Sequence, residues 1–304
     1  MVEMEQIQLK ASGLQFTAFQ AGAAEDPVVL CLHGFPDSPT TCYRLQVEPL
    51  VAAGYRVMVP TLRGYEPSSQ PEDGDYSLLT IADDVVGWLD DLGVQKAHAI
   101  GHDWGAVILY VVAARCPDRL WSAASLGIPP LARIPQAVRK VPYQLLRSWY
   151  MTFFQLPVLS DTAMAANDWA LLRRLWKTWS PSYALADREW QQIRAQFAQP
   201  GVPRAALAYY RQNATPPLLL GLTSNAAMEL FEIPATPMLI LHGTQDGCMD
   251  ARLFPHAVQA SDFPAGVDCI PIDGAGHFLH VECPERVNAA LLQHIRQHAQ
   301  HKTG

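Results

Sequence analysis

The stretch "AIGHDWGAV", residues 99–107, sets Asp103 between two glycines at the end of an apolar run. The preceding "KAHAIGH" is typical of a buried strand, and the following "WGAVILYVVAARCP" is apolar on nearly every face, which is typical of a buried helix. Two flanking glycines indicate a turn too tight for side chains, and such a turn would lift the middle residue above the sheet. The stretch therefore predicts a strand, a sharp turn that carries Asp103, and a helix.

Asp103 itself has two interpretations. A carboxylate is ionised at neutral pH and can attack carbon directly, whereas a serine at this turn would first need a base to remove its proton. The positive N-terminal end of the following helix would also stabilise the negative charge of the Asp103 carboxylate. Alternatively, Asp103 only caps the helix that begins at Trp104. The turn geometry favours the first interpretation, in which Asp103 is a nucleophile.

The alternation of strand and helix continues on both sides of this turn. Short apolar runs bounded by turn residues predict further buried strands in "PVVLCLHG", "YRVMVPTLRG", "LWSAASLG", "TPMLILHGTQD" and "VDCIPIDGAGH". Helical periodicity lies in "TCYRLQVEPLVAAG", "SLLTIADDVVGWLDDLG" and "PERVNAALLQHIRQHAQ". The alternating segments "QIQLKA" and "LQFTAFQAG" predict a hairpin at the start of the chain. Together these signals predict an α/β fold with a mostly parallel, doubly wound sheet.

A different composition follows Pro129-Pro130. Residues 131–225 are rich in Trp, Arg, Gln and Pro and contain no convincing strand, but they include several helical segments. The strand signals return only after this segment. We therefore predict an α/β core formed by residues 1–130 and 226–304, with an all-helical cap inserted at 131–225.

The bulk composition narrows the range of partners. The chain of 304 residues has a formal charge of −7 and no basic run, so nucleic acid is not an expected partner. No window reaches the roughly 18 apolar residues that a membrane span needs, and the acidic N-terminus lacks a secretory pattern. The six cysteines include no CxxC pair and are expected to be free thiols. These features predict a cytoplasmic protein that does not act on membranes.

The sequence contains neither the motif of a serine esterase nor the motifs of common metal sites. No G-x-S-x-G occurs, so an ordinary serine esterase triad is not expected. The ten histidines form no HExxH or HxxEH motif and no Cys/His pair with zinc spacing, so no metal and no other cofactor is expected.

A histidine and an acid follow Asp103 in chain order. His277 lies in "DGAGHFLHVECPERV", between the last predicted strand and the final helix, where a base that acts with an earlier nucleophile is expected. Asp246 ends the strand segment "LILHGTQD" and could orient that histidine. His280 is the alternative base, and Asp250 and Asp273 are the alternative acids.

The loop "LHGFPDS", residues 32–38, follows another predicted strand. A His-Gly loop in this position can supply a backbone N–H from Phe35, which would join that of Trp104 in an oxyanion hole. We expect His33, Pro36 and Trp104 to contact a substrate. The alternative is a plain strand-to-helix turn without a catalytic role.

Five motifs carry a resemblance to a known family. "HGFPD", "RGYEPSS", "GHDWG", "GTQD" and "GHFLHVECPERV" together closely resemble the epoxide hydrolases of the α/β hydrolase superfamily, from about residue 5 to residue 300. Haloalkane and haloacetate dehalogenases are related enzymes that also use an aspartate at this turn. The resemblance implies an α/β hydrolase fold and a cis peptide bond before Pro36.

The resemblance also implies two tyrosines in the cap that donate hydrogen bonds to an epoxide oxygen. Tyr150 in "SWYMTFFQLP" matches the first family motif, and Tyr210 in "AYYRQN" matches the second. Tyr209 is the alternative to Tyr210, because it is the immediate neighbour and takes a position where the family commonly has tryptophan.

The resemblance implies an epoxide hydrolase that adds water to a small-molecule epoxide to give a vicinal diol. Asp103 would form an alkyl-enzyme ester, and His277, oriented by Asp246, would activate the water that hydrolyses it. A dehalogenase with the same three residues is the first alternative, because Trp104 would suit a halide. A non-catalytic ligand-binding protein is the second. We expect a monomer or a homodimer.

Overall fold

The structure is a computed structural model that describes residues 2–215 and 232–299. Within them, eight strands form one sheet in the order β1-β2-β4-β3-β5-β6-β7-β8. The strands are β1 (Glu5–Ala11), β2 (Leu14–Ala21), β3 (Val28–Leu32), β4 (Arg56–Pro60), β5 (Ala97–His102), β6 (Leu120–Leu126), β7 (Met238–Gly243) and β8 (Val267–Ile272).

The sheet is mostly parallel. β1 and β2 form the predicted hairpin, and β2 also pairs antiparallel with β4. All pairs from β4 across to β8 are parallel, and Leu32 of β3 lies in register with Gly101 of β5. The predicted fold class is confirmed.

Helices occupy both faces of the sheet and the segment between β6 and β7. They are α1 (Pro39–Cys42), α2 (Val47–Ala52), α3 (Leu78–Asp91), α4 (Trp104–Arg115), α5 (Ile134–Lys140), α6 (Gln144–Arg147), α7 (Trp149–Phe154), α8 (Pro157–Trp179), α9 (Asp187–Phe197), α10 (Val202–Asn213), α11 (Phe254–Ala257), α12 (Leu279–Glu282) and α13 (Pro284–Gln297). Among these described helices, none combines the length and the apolarity that a bilayer crossing requires.

Burial on both faces explains the continuous apolar strands. Helices α3 and α4 pack against one face of the sheet, and α2 and α13 pack against the other. Every residue of β3, β5 and β7 is buried. A strand covered on both faces gains from apolar side chains at every position rather than at alternate ones, which is the pattern in the sequence.

The order of the strands positions a crevice at their carboxyl ends. β3 lies between β4 and β5, so the chain leaving β3 turns towards β4 while the chain leaving β5 turns the other way towards β6. The two loops diverge, and open α/β sheets bind ligands where such loops separate. The loop after β3 and the turn at Asp103 therefore border the same crevice.

One predicted helix is wrong in its extent. The segment "TCYRLQVEPLVAAG", residues 41–54, does not form one helix but is divided between α1 and α2, with a turn at 43–46. The reason is Pro49, which has no N–H and would break a hydrogen bond inside a continuous helix. In the observed arrangement Pro49 lies in the first turn of α2, where its missing N–H costs nothing.

Helices α5 to α10 lie between β6 and β7 in the chain, within the segment predicted as a cap. Buried hydrogen bonds tie them to the core, among them those from Trp176 Nε1 to the Pro36 carbonyl (2.7 Å) and from the Tyr209 hydroxyl to the Arg63 carbonyl (2.7 Å). The predicted boundary at 225/226 lies outside the described residues, so the division into core and cap stays a prediction.

Buried histidines should make the fold sensitive to acid. Burial, together with a smaller contribution from nearby histidines, lowers the pKa of His98 and of His294 to about 4. In the unfolded chain these histidines take up protons near pH 6.5. The stability that their neutral forms contribute is therefore fully present above that pH and is lost as the pH falls towards 4. Each histidine should remove about 2 kcal/mol from the free energy of unfolding by pH 5.

Urea denaturation at pH 7 and pH 5 measures this effect. His294→Leu should reduce the loss between the two pH values, and the exposed control His256→Gln should leave it unchanged. An identical loss in wild type and His294→Leu would contradict the assignment.

Candidate active site

The turn between β5 and α4 has the geometry that its glycines predict. A Cβ on Gly101 would overlap the carbonyl of Gly105, and a Cβ on Gly105 would overlap the carbonyl of Leu32. Asp103 has φ of 50° and ψ of −120°, a conformation that a non-glycine residue rarely adopts. Such backbone strain is typical of functional sites and is held in place by the surrounding packing.

The Asp103 carboxylate does not cap α4. Its side chain makes no capping hydrogen bond, and Oδ1 instead accepts a hydrogen bond from the backbone N–H of Phe35 at 2.7 Å. The side chain is buried. The capping interpretation of Asp103 therefore has no support in its contacts.

His277 lies between two carboxylates. Its Nδ1 is 2.9 Å from Asp246 Oδ2, and its Nε2 is 3.5 Å from Asp103 Oδ2. Asp246 is held in turn, because its Oδ1 accepts from the backbone N–H groups of Cys248 (2.6 Å) and Met249 (2.8 Å). The contact with Asp246 keeps the proton on Nδ1 and directs Nε2 towards Asp103.

The alternative base and acids lie elsewhere. His280 Nε2 is 3.4 Å from Cys42 Sγ, and the His280 ring packs against His102 with the centroids 4.5 Å apart. The Asp250 carboxylate binds the guanidinium of Arg252 at 2.7 Å, and Asp273 is exposed. The arrangement thus brings together the first-choice residues Asp103, His277 and Asp246.

An apolar cavity of about 90 Å³ opens above Asp103. Its polar lining groups include the Asp103 carboxylate and the side chains of Trp104, Tyr150, Tyr210 and Cys248. Burial raises the pKa of the Tyr150 and Tyr210 phenols well above the ordinary value, so both hydroxyls keep their protons at neutral pH. The cavity thus holds one carboxylate and two proton donors.

The choice between Tyr209 and Tyr210 depends on their hydroxyl groups. The Tyr209 hydroxyl donates to the Arg63 carbonyl at 2.7 Å, and its ring is not part of the cavity lining. The Tyr210 hydroxyl is buried and has no hydrogen-bond partner in the part of the chain that the structure describes. Its ring packs edge-on against Trp104, with the centroids 4.9 Å apart.

Two of the expected substrate contacts support the loop instead of lining the cavity. His33 Nε2 accepts from the backbone N–H of Leu62 at 3.1 Å, and the Pro36 carbonyl accepts from Trp176. Neither His33 nor Pro36 is among the lining residues. The Phe35–Pro36 peptide bond is cis, as the resemblance implies. These contacts hold the loop that presents the Phe35 N–H to Asp103.

A family model for the alpha/beta hydrolase fold matches residues 27–284. The chain is an α/β hydrolase. The match covers both strands that carry the site, β5 and β7, and the loop of His277.

Similar proteins extend this assignment. Epoxide hydrolase A of Mycobacterium tuberculosis is 29% identical to the hydrolase, over 93% of this chain and 95% of its own. The AB hydrolase superfamily protein YfhM of Bacillus subtilis is 27% identical, over 95% of this chain and 96% of its own. The crystal structure of Epoxide Hydrolase A from Mycobacterium thermoresistibile has a TM-score of 0.76 at 28% identity, over 96% and 98% of the two chains. The predicted resemblance is confirmed.

Cys248 is a further residue of the site that was not among the predicted ones. This thiol of the hydrolase is buried, lines the cavity and lies 3.3 Å from the Tyr150 hydroxyl. Its backbone is fixed on both sides, since its N–H donates to Asp246 and its carbonyl accepts from Gln144 Nε2 at 2.8 Å. One signal was available, because Cys248 comes two residues after Asp246, just beyond the carboxyl end of β7.

Proposed function

We propose that the hydrolase adds water to an epoxide and releases a vicinal diol. One observation carries the proposal: the Asp103 carboxylate and the protonated hydroxyls of Tyr150 and Tyr210 line the same apolar cavity. An epoxide needs a nucleophile at carbon and a proton donor at oxygen, and an apolar pocket with a few convergent polar groups suits a small ligand. Its relatives named epoxide hydrolase support the same reaction class.

In the first step Asp103 Oδ2 attacks an epoxide carbon, and the carbon–oxygen bond of the ring breaks. Asp103 Oδ1 is held by the Phe35 N–H, which leaves Oδ2 as the attacking atom. Tyr210 and Tyr150 donate hydrogen bonds to the departing oxygen, and one of them supplies its proton. The product of this step is an ester between Asp103 and the substrate.

In the second step His277 Nε2 takes a proton from water, and the oxygen of that water attacks the ester carbonyl carbon. Burial lowers the pKa of His277, but Cys248 and the carboxylates of Asp246 and Asp103 outweigh it and raise that pKa well above normal. Ester formation removes the charge of Asp103 and therefore lowers the pKa of His277. The imidazole becomes an effective base only when the ester is present.

The charge that develops on the carbonyl oxygen needs donors. The Phe35 N–H already lies 2.7 Å from Asp103 Oδ1, within the distance required for an oxyanion contact. The Trp104 N–H, at the start of α4, is the second donor in this proposal. Collapse of the tetrahedral intermediate breaks the bond to the substrate oxygen, which takes the proton from His277 and leaves as part of the diol. The remaining proton of the Asp103 carboxyl group returns to the tyrosinate, so Asp103 is again a carboxylate and the tyrosine is again protonated.

A dehalogenase is the second candidate, and Trp104 is the observation that favours it. The indole N–H of Trp104 is buried and has no hydrogen-bond partner among the described residues, and its side chain lines the cavity. An indole N–H can bind a departing halide, and the ester chemistry at Asp103 would be the same.

A panel of aryl and aliphatic epoxides and of haloalkanes tests the two candidates. Diol formation is measured by chromatography and halide release by a colorimetric assay, on the same preparation. We expect diol from at least one epoxide and no halide above the buffer control. Halide release without diol formation would replace the first candidate with the second.

The two adjacent tyrosines provide a matched pair of variants. Tyr210→Phe should lower kcat by about 10²-fold, because it removes a proton donor that faces the substrate. Tyr209→Phe should leave kcat close to wild type but lower the free energy of unfolding by about 1–3 kcal/mol, because the Arg63 carbonyl loses its buried donor. Steady-state kinetics and urea denaturation of both variants measure this. The reverse pattern would assign the donor to Tyr209.

A further inference from the structure

Two residues that line the cavity, Asp103 and Cys248, form with the neighbouring His277 a group that the proposed reaction does not require as a group. Asp103, Cys248 and His277 each offer one ligand atom, and these atoms all lie within 4.8 Å of one another. All three residues are buried. His277 Nε2 has no hydrogen-bond partner among the described residues, so a ring nitrogen that could bind a metal ion is directed into the group.

The spacing of these atoms is close to that of a zinc site. Zn²⁺ binds imidazole nitrogen and carboxylate oxygen at about 2.0–2.2 Å and thiolate sulfur at about 2.3 Å, which puts neighbouring ligand atoms roughly 3.3–3.6 Å apart in a tetrahedron. Asp103 Oδ2 and His277 Nε2 are already 3.5 Å apart. Only the Cys248 sulfur has to approach, by at most about 1.2–1.5 Å on these distances.

Each ligand is also oriented by a neighbour. Asp246 binds Nδ1 of His277, and such a carboxylate–histidine pair fixes the tautomer that leaves Nε2 free for a metal. The same carboxylate accepts from the Cys248 N–H, and the Phe35 N–H holds Asp103 by its other oxygen. The contacts that orient His277 as a base therefore also orient it as a metal ligand.

We propose that Asp103, Cys248 and His277 form an inhibitory site for a thiophilic divalent cation, with Zn²⁺ as the representative ion. Metal binding displaces the proton of the Cys248 thiol and any proton on His277 Nε2 into solvent. One aspartate and one thiolate then neutralise the two charges of the ion, which suits a buried site. The fourth position faces the cavity and takes a water molecule. The bound ion occupies both the attacking oxygen of Asp103 and the basic nitrogen of His277, so it blocks either candidate reaction.

Isothermal titration with ZnCl₂, in the absence of any substrate, tests the site. We expect one Zn²⁺ per chain in the wild type, and an affinity at least about tenfold weaker in Cys248→Ser. The matched control replaces the three partly exposed cysteines, Cys116, Cys269 and Cys283, with serine and should bind like the wild type. Loss of binding in this control with retention in Cys248→Ser would overturn the proposal.

A spectroscopic measurement identifies the ligand atom. Cobalt(II) in the same site should show sulfur-to-metal charge-transfer absorption in the wild type and in the triple control, and none in Cys248→Ser. Asp103→Asn, a second variant, should also weaken Zn²⁺ binding at least about tenfold if Cys248→Ser fails to fold. Charge-transfer absorption that persists without Cys248 would overturn the assignment. Because no substrate is used, these results are independent of the proposed epoxide chemistry.

Discussion

Replacing Asp103 with asparagine should lower diol formation by about 10³-fold or more, the range in which the loss of a nucleophile falls. The amide has the same shape and can still accept the Phe35 N–H, but its nitrogen and neutral oxygen attack an epoxide carbon poorly. Diol production is measured at saturating epoxide, and thermal unfolding shows whether the variant is folded. We expect a melting temperature close to that of the wild type.

Oxygen-18 water separates this mechanism from direct attack by water. In a single turnover with enzyme in excess, the first diol should be unlabelled, because its new oxygen comes from the Asp103 carboxylate. Label should then appear in the Asp103 side chain. A labelled first diol would exclude the covalent route even if Asp103→Asn were inactive.

Replacing His277 with glutamine should stop the reaction at the ester. The first step needs only Asp103 and the two tyrosines, whereas the second needs a base for the water, and general base catalysis contributes about 10²–10⁴-fold. The ester should therefore accumulate. Intact-protein mass spectrometry after addition of an epoxide should show an increase equal to the mass of the substrate.

The double variant Asp103→Asn/His277→Gln is the control for that adduct. It should show no mass increase, because the atom that forms the ester is gone. Peptide mapping should locate the adduct of the single variant on Asp103. An adduct on Cys248 instead would identify the buried thiol as the group that attacks, and a variant that still turns over would assign the base to another residue.

Much of the fold could be predicted because its signals are local. The spacing of a few neighbouring apolar residues indicates a buried strand or an amphipathic helix. The glycines on either side of Asp103 indicate a tight turn, because a larger side chain at their positions would overlap the backbone. The error at residues 41–54 is also local in origin, because Pro49 interrupts a helix that the apolar periodicity alone would continue. Chain order then placed His277 and Asp246 near Asp103, because parallel strands bring their carboxyl ends to one edge.

The sequence by itself therefore determined the sheet, the sharp turn and the three residues that follow the strands. Only the tertiary structure decided which of two adjacent tyrosines lines the cavity with Asp103, because the Tyr209 hydroxyl is bound to a carbonyl 146 positions away. The contact between Cys248 and Tyr150, which lie 98 positions apart in the sequence, also exists only in the tertiary structure. Such contacts depend on how whole elements pack against one another, and no periodicity within a segment records the direction of a single hydroxyl or thiol.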